Sequence, residues 1–280
     1  VRITNVQPEQ FTLYLVEPSD KNGLHRVGEM VSYLVLEAGS HTLESGTRLE
    51  VGTVAIDATV GEIVVPEWET VNLVTTFSTP PMVISQVQTD AGQPFLSTRQ
   101  MNVTDSTFQV ALEQEELINS QHGLETVGYV AMEPSAGAWN QVAYEVQTTD
   151  AIFTHTFTDL NFAQAYSDTP SFVASLTSYN DDDNAHLRFR NLRSGSVQLK
   201  VEEDTTRDST WTHFNAERVS YFAFGGEGLL TGATAPLGQS SQSFPITIGE
   251  PGLVGGLDVE INIHHTRTSD LDMLLESPTG

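Results

Sequence analysis

Four residue types recur in one order along the chain and are able to do chemistry together. Arg2, His25, Glu29 and Tyr33 are followed by Arg99, His122, Glu125 and Tyr129, and then by Arg188, His213, Glu217 and Tyr221. Imidazole and carboxylate hydrogen-bond hydroxyl groups, and an aromatic ring stacks on the apolar face of a sugar. A ligand site built this way takes in Arg99, Arg188, His25, His122, His213, Glu125, Glu217, Tyr129 and Tyr221, with Trp211 two residues before His213. The same set also has a structural reading. Glu stands four residues before Tyr in every copy, an even offset that puts both on one face of a strand. A partly buried Glu beside the repeated Arg would then be an ion pair that folding requires.

Metal chemistry is confined to oxygen and imidazole ligands, because the chain has no cysteine. The run Asn180–Asn184, with Asp181 and Asp183, supplies closely spaced hard oxygens suited to calcium; Asp270, Asp272 and Asp258 are weaker candidates. The run lacks the spacing and distal Glu of a helix-loop-helix calcium site, so a solvated loop is its other reading. His264 and His265 are adjacent and would point to opposite faces of a strand, which suits packing better than shared ligation.

Catalysis finds little support. No nucleophile elbow, paired-histidine zinc helix or phosphate-cradling loop is present. Composition excludes further classes. Twelve Lys and Arg against 37 Asp and Glu leave a net charge of −25, and Lys21 and Lys200 are the only lysines. Such a chain repels phosphate backbones and anionic membrane surfaces, so nucleic acid and membrane insertion are not expected. The acid excess fits a salt-tolerant, well-solvated secreted or cell-surface protein.

Strands must position these residues. Short alternating or apolar runs recur at Thr53–Ile56, Glu62–Val65, Met82–Gln88, Thr107–Leu112, Thr126–Met132, Ser196–Val201, Val219–Phe224 and Val259–Ile263, bounded by turn residues. Helical spacing is nearly absent. The repeated skeleton is Arg-x-x-Asn, a strand, an acidic loop with His, then Glu-x-x-x-Tyr. Its asparagines, Asn5, Asn102 and Asn191, lie 97 and 89 residues apart. The segment Thr79–Ser85 aligns with Thr169–Ser175 as a shared upstream half. A period of about 90 residues suits a small independent sandwich rather than a solenoid unit. The expected fold is all-β, as tandem antiparallel β-sandwiches: the end of one repeat over 1–50, repeats over 66–142 and 150–232, and a different module over 236–280. Glu37–Glu69, Pro134–Thr149 and Gly225–Gln239 read as connections, and both chain ends read as truncations.

The run Phe77–Gln88, then Arg99–Val110 and Val127–Ala131, resembles the H-type lectin domain of snail agglutinins and discoidins. That resemblance implies an antiparallel sandwich that trimerises, binds N-acetylgalactosamine or related sugars, and contacts sugar through a loop His, here His122 or His213. The tail, Phe244–Ile248, Leu257–Thr266 and Ser269–Gly280, resembles the first half of the P domain that follows the catalytic domain of subtilisin-like proteases. Three functions follow as expectations: a glycan-binding region, a protease accessory region, or an adhesin stalk.

Overall fold

The computed structural model describes residues 1–7, 10–21, 31–43, 45–92, 95–139 and 142–225. The chain is all-β; a single-turn 3-10 helix at Ser19–Lys21 is the only helical element among the described residues. Alternation dictates this locally. Along Ser196–Glu203, Val197, Leu199 and Val201 are fully buried while Gln198 and Lys200 face outward, the period of a strand with one packed side.

The first repeat contributes β1 (Arg2–Gln7) and β2 (Gln10–Tyr14), an antiparallel pair. The second contains β3 (Gly39–Thr42), β4 (Arg48–Ile56), β5 (Thr59–Val60), β6 (Glu69–Asn72), β7 (Met82–Val87), β8 (Leu96–Met101), β9 (Thr107–Gln114) and β10 (Glu125–Met132). The third contains β11 (Ser135–Trp139), β12 (Val142–Thr148), β13 (Thr158–Asn161), β14 (Ser171–Leu176), β15 (Ala185–Arg193), β16 (Ser196–Glu203) and β17 (Val219–Gly225). Each of these two repeats pairs a four-stranded sheet, β3-β4-β10-β7 or β11-β12-β17-β14, with a second sheet centred on β9 or β16. Pairing is antiparallel apart from the short β5–β9 contact.

Three apolar cores hold the layers. Ile56, Phe108, Leu112 and Val127 belong to the core between the sheets of the second repeat; Phe153, Leu199, Val219 and Tyr221 do the same in the third. A third core, with Leu49, Met82, Met132, Tyr144, Val146 and Phe222, joins the two four-stranded sheets to each other. The two sandwiches therefore share buried surface rather than standing independently.

The repeat is visible in the backbone. Asn5, Asn102 and Asn191 have φ of 52°, 51° and 52°, the left-handed region that Asn tolerates better than other side chains. In each copy the amide Nδ2 donates to the side-chain oxygen seven residues on, Thr12 Oγ1, Gln109 Oε1 or Gln198 Oε1, at 3.3, 2.6 and 2.8 Å.

Strand pairing corrects three parts of the sequence reading. Glu37–Glu69 and Pro134–Thr149 are not simple connections: β4 pairs along the whole of β10, and β12 pairs with β17, so each repeat draws in residues before the spans expected for it. Glu62–Val65 is a turn, because Gly61 has φ of +149° and its carbonyl accepts the Val64 N–H. The upstream halves align one residue away from the sequence match. Met82 pairs with Met132 and Ser171 with the equivalent Phe224, so Val83, not Met82, corresponds to Phe172. The shared Thr-Pro had fixed a register that would turn every side chain to the opposite face.

Candidate functional site

Repeated Arg, His and Glu meet at the two described joints between repeats, where Arg2 and Arg99 each reach the Glu of the next copy. At the first joint Arg2, on β1, donates to the Thr89 carbonyl at 2.6 Å and lies 3.4 Å from Glu125 Oε1. The Thr89 hydroxyl bonds Glu125 Oε2, and the Ala91 N–H donates to Oε1 at 3.0 Å. His122 is buried nearby, its Nδ1 on the Gly123 carbonyl at 2.9 Å. A surface groove of about 470 Å³ opens at this joint beside Asn5, Asp90 and Leu124.

The second joint repeats this arrangement. Arg99, on β8, has its guanidinium 3.5 Å from the Ser178 carbonyl and 3.6 Å from Glu217 Oε1. The Ser178 hydroxyl bonds Glu217 Oε2, and the Asn180 N–H donates to Oε1 at 2.9 Å. Arg99 also holds Glu113 of its own repeat in a two-pronged pair at 3.0 and 2.8 Å, and is fully buried. Backbone contacts seal the seam. Ala185 N–H donates to Glu113, and Asn184 Nδ2 donates to the Gln114 carbonyl at 2.7 Å. A Cβ at Gly61 would lie 2.6 Å from the Asn184 amide, so glycine is what lets the two repeats approach there.

The tyrosines belong to the sandwich interiors. Tyr129 donates to Glu50 Oε1 at 2.9 Å, and Tyr221 donates to Glu145. The second oxygens accept backbone N–H groups of Thr75 and Gln164, both at 2.6 Å. Burial together with the neighbouring carboxylate raises both phenols above their ordinary range. Neither Glu50 nor Glu145 was singled out from the sequence, although each sits between apolar strand residues, 95 positions apart.

Beside the second joint lies a group of acids around His213. Asp181, Glu203 and His213 place one ligand atom each within 4.8 Å of the others; Glu62, Glu116 and Asp183 form a second such group across the seam. His213 Nε2 is 3.4 Å from Glu217 Oε1, and Nδ1 is 3.2 Å from Glu203 Oε1. Burial opposes charge on His213, yet the Glu217 carboxylate raises its pKa above the usual value. Burial and Asp183 push the Glu203 carboxyl up to about 6. Burial with Asp208, Asp204 and Asp183 pushes Glu116 up to about 7. Asp181 and Asp183 are half-buried beside these groups, while Asp182 between them is exposed. Glu203 and Glu116 escaped notice because acids are common here and nothing in their spacing marks them.

Other expected site residues lie elsewhere. Arg188 sits on the outer face of β15, its side chain 58% exposed and 3.9 Å from Glu202. Trp211 is 53% exposed, and Phe214 is 73% exposed; both rings approach His155, at 5.8 and 5.0 Å between centroids. His25, Asp270 and the whole P-domain-like tail lie outside the described residues.

No family model and no solved structure matches the chain. It is similar to halomucin of Haloquadratum walsbyi, 27% identical over 234 residues. The match takes in 82% of this chain and 2% of that protein, so it concerns a small part of a far longer polypeptide.

Proposed function

We propose that the chain is a non-catalytic segment of an extracellular surface protein, in which tandem β-sandwich repeats form a stiff spacer. The recurrence of one buried Arg–Glu joint at two successive junctions carries this reading, because it fixes each repeat on the next through groups sheltered from solvent. The likeness to halomucin, whose name marks it as a mucin, supports a surface location. The strong acidity of the chain supports solvation in salt, and the absence of a recognisable catalytic motif supports a passive role.

With no native cysteine, introduced thiols can be labelled cleanly. Spin labels at Thr53→Cys and Asp159→Cys, exposed positions on the second and third repeats, measure the joint directly. The expected result is one narrow distance distribution unchanged by salt, since buried pairs are screened little. A broad distribution overturns the spacer reading.

A second reading has one observation in its favour. The exposed pair Trp211 and Phe214 around His155 is the kind of aromatic face on which sugars stack, and the H-type lectin resemblance points the same way. A glycan array tests it: retention lost in Trp211→Ala supports glycan binding, and no retention by the parent chain removes it.

A further inference from the structure

We propose that Asp181, Glu203 and His213 form a binding site for a divalent cation of the zinc class, with Glu217 orienting the imidazole. The proposal is independent of the spacer reading. It begins from a buried carboxylate that only an imidazole faces: Glu203 is 4% exposed, neither of its oxygens accepts a hydrogen bond of good geometry, and its ion-pair neighbour is His213 Nδ1 at 3.2 Å. A buried carboxylate in that condition is costly unless a charge meets it.

Its surroundings define which charge. Arg99 is occupied by Glu113 and Glu217, and Arg207 by Glu62, so neither guanidinium serves Glu203. His213 is the group facing it. The protonated ring pairs with both carboxylates; in the neutral ring with Nε2–H toward Glu217, Nδ1 presents its lone pair toward Glu203 Oε1 at 3.2 Å. Two acceptors then face each other, with Asp181 closing the third side. One imidazole nitrogen, two carboxylates and a carboxylate behind the imidazole are the donor set and outer support of zinc-type sites. A site made for calcium would offer oxygens alone.

The preceding repeat provides an internal control. There the positions of Asp181, Glu203 and His213 are held by Gly92, Gln114 and His122. Gly92 leaves room that a Cβ would take from the His122 ring, at 2.9 Å, and Gln114 donates to the Ser120 carbonyl. The joint thus forms with no carboxylate at these two positions. The pair of acids in the third repeat is an addition that the Arg–Glu joint does not require.

The test is titration of the chelator-treated full chain with Zn²⁺, followed by calorimetry and thermal unfolding, alongside Glu203→Gln, which installs the residue of the preceding repeat. The expected result is one equivalent bound, a rise in Tm, and affinity lowered by about tenfold or more in Glu203→Gln. Should that variant fail to fold, Co²⁺ added to the parent chain decides instead, through the intense visible absorption of a four-coordinate site. Absence of stoichiometric binding, equal affinity in Glu203→Gln, or a missing Co²⁺ band overturns the proposal. Binding of Ca²⁺ in preference to Zn²⁺ overturns it too, since the imidazole would then not be a ligand.

Discussion

Replacing Arg99 by methionine should damage the chain more than any surface change. The guanidinium is fully buried and neutralises two carboxylates, Glu113 at 2.8 Å and Glu217 at 3.6 Å, from different repeats. Breaking a buried pair by removing one partner costs about 3–5 kcal/mol, because the remaining charge is left uncompensated. For a folded unit of this size each kcal/mol lowers Tm by roughly 2–4 °C, so a fall of about 6–20 °C is expected. A domain with about 5–15 kcal/mol of stability survives that loss. Calorimetry should also show the unfolding transition widening or splitting, since the ion pair to Glu217 ties one repeat to the next. Adding Glu113→Gln should recover part of the deficit: the amide oxygen can still accept the Ala185 N–H while the orphaned charge disappears. A fall smaller than about 2 °C in Arg99→Met, or a double variant as unstable as the single one, would refute the argument that burial of an unpaired charge governs the joint.

Three further outcomes are expected. Asn102→Ala should cost about 1–2 kcal/mol in urea unfolding, for left-handed backbone without a compensating side chain, whereas Asn102→Gly should cost less. Tyr221→Phe leaves a Glu145 oxygen without its donor and should cost about 1–3 kcal/mol, with no change in secondary structure by circular dichroism. At Glu133 burial disfavours the charge, but the Arg48 and Ser78 donors outweigh it and hold the carboxyl below its usual value. A depressed folded pKa gives stability that is present above the ordinary value of 4.5 and lost as pH falls through the folded value. Glu133→Gln should therefore be less stable than the parent at neutral pH, with the gap closing in acid.

The strand class and the three-fold repeat were legible because both depend on local pattern: period-two alternation along Ser196–Glu203, and an asparagine held at one backbone conformation in each copy. The partners of the repeated residues were not. Sequence suggested that the repeated Arg and Glu pair but not which copies meet: Arg2 and Arg99 reach into the following repeat, a relation set by how sheets stack rather than by spacing. The acids around His213 split for a similar reason. Asp181 and Asp183 stand in a conspicuous run, but Glu203 comes from the end of β16, and its burial against His213 exists only once the loops close over it.

The joint also gives the molecule a direction. Arg2 and Arg99 each project from one repeat, and each accepting Glu lies beside the loops of the next, so the contact is head-to-tail and no two-fold axis closes it. Arg188, at the matching place on β15, shows that the third repeat carries the same donor face. Heterologous contacts of this kind iterate without limit. Whole repeats could therefore be duplicated or deleted during evolution without any of them meeting an unfamiliar neighbour, so that length can drift while each junction keeps its chemistry.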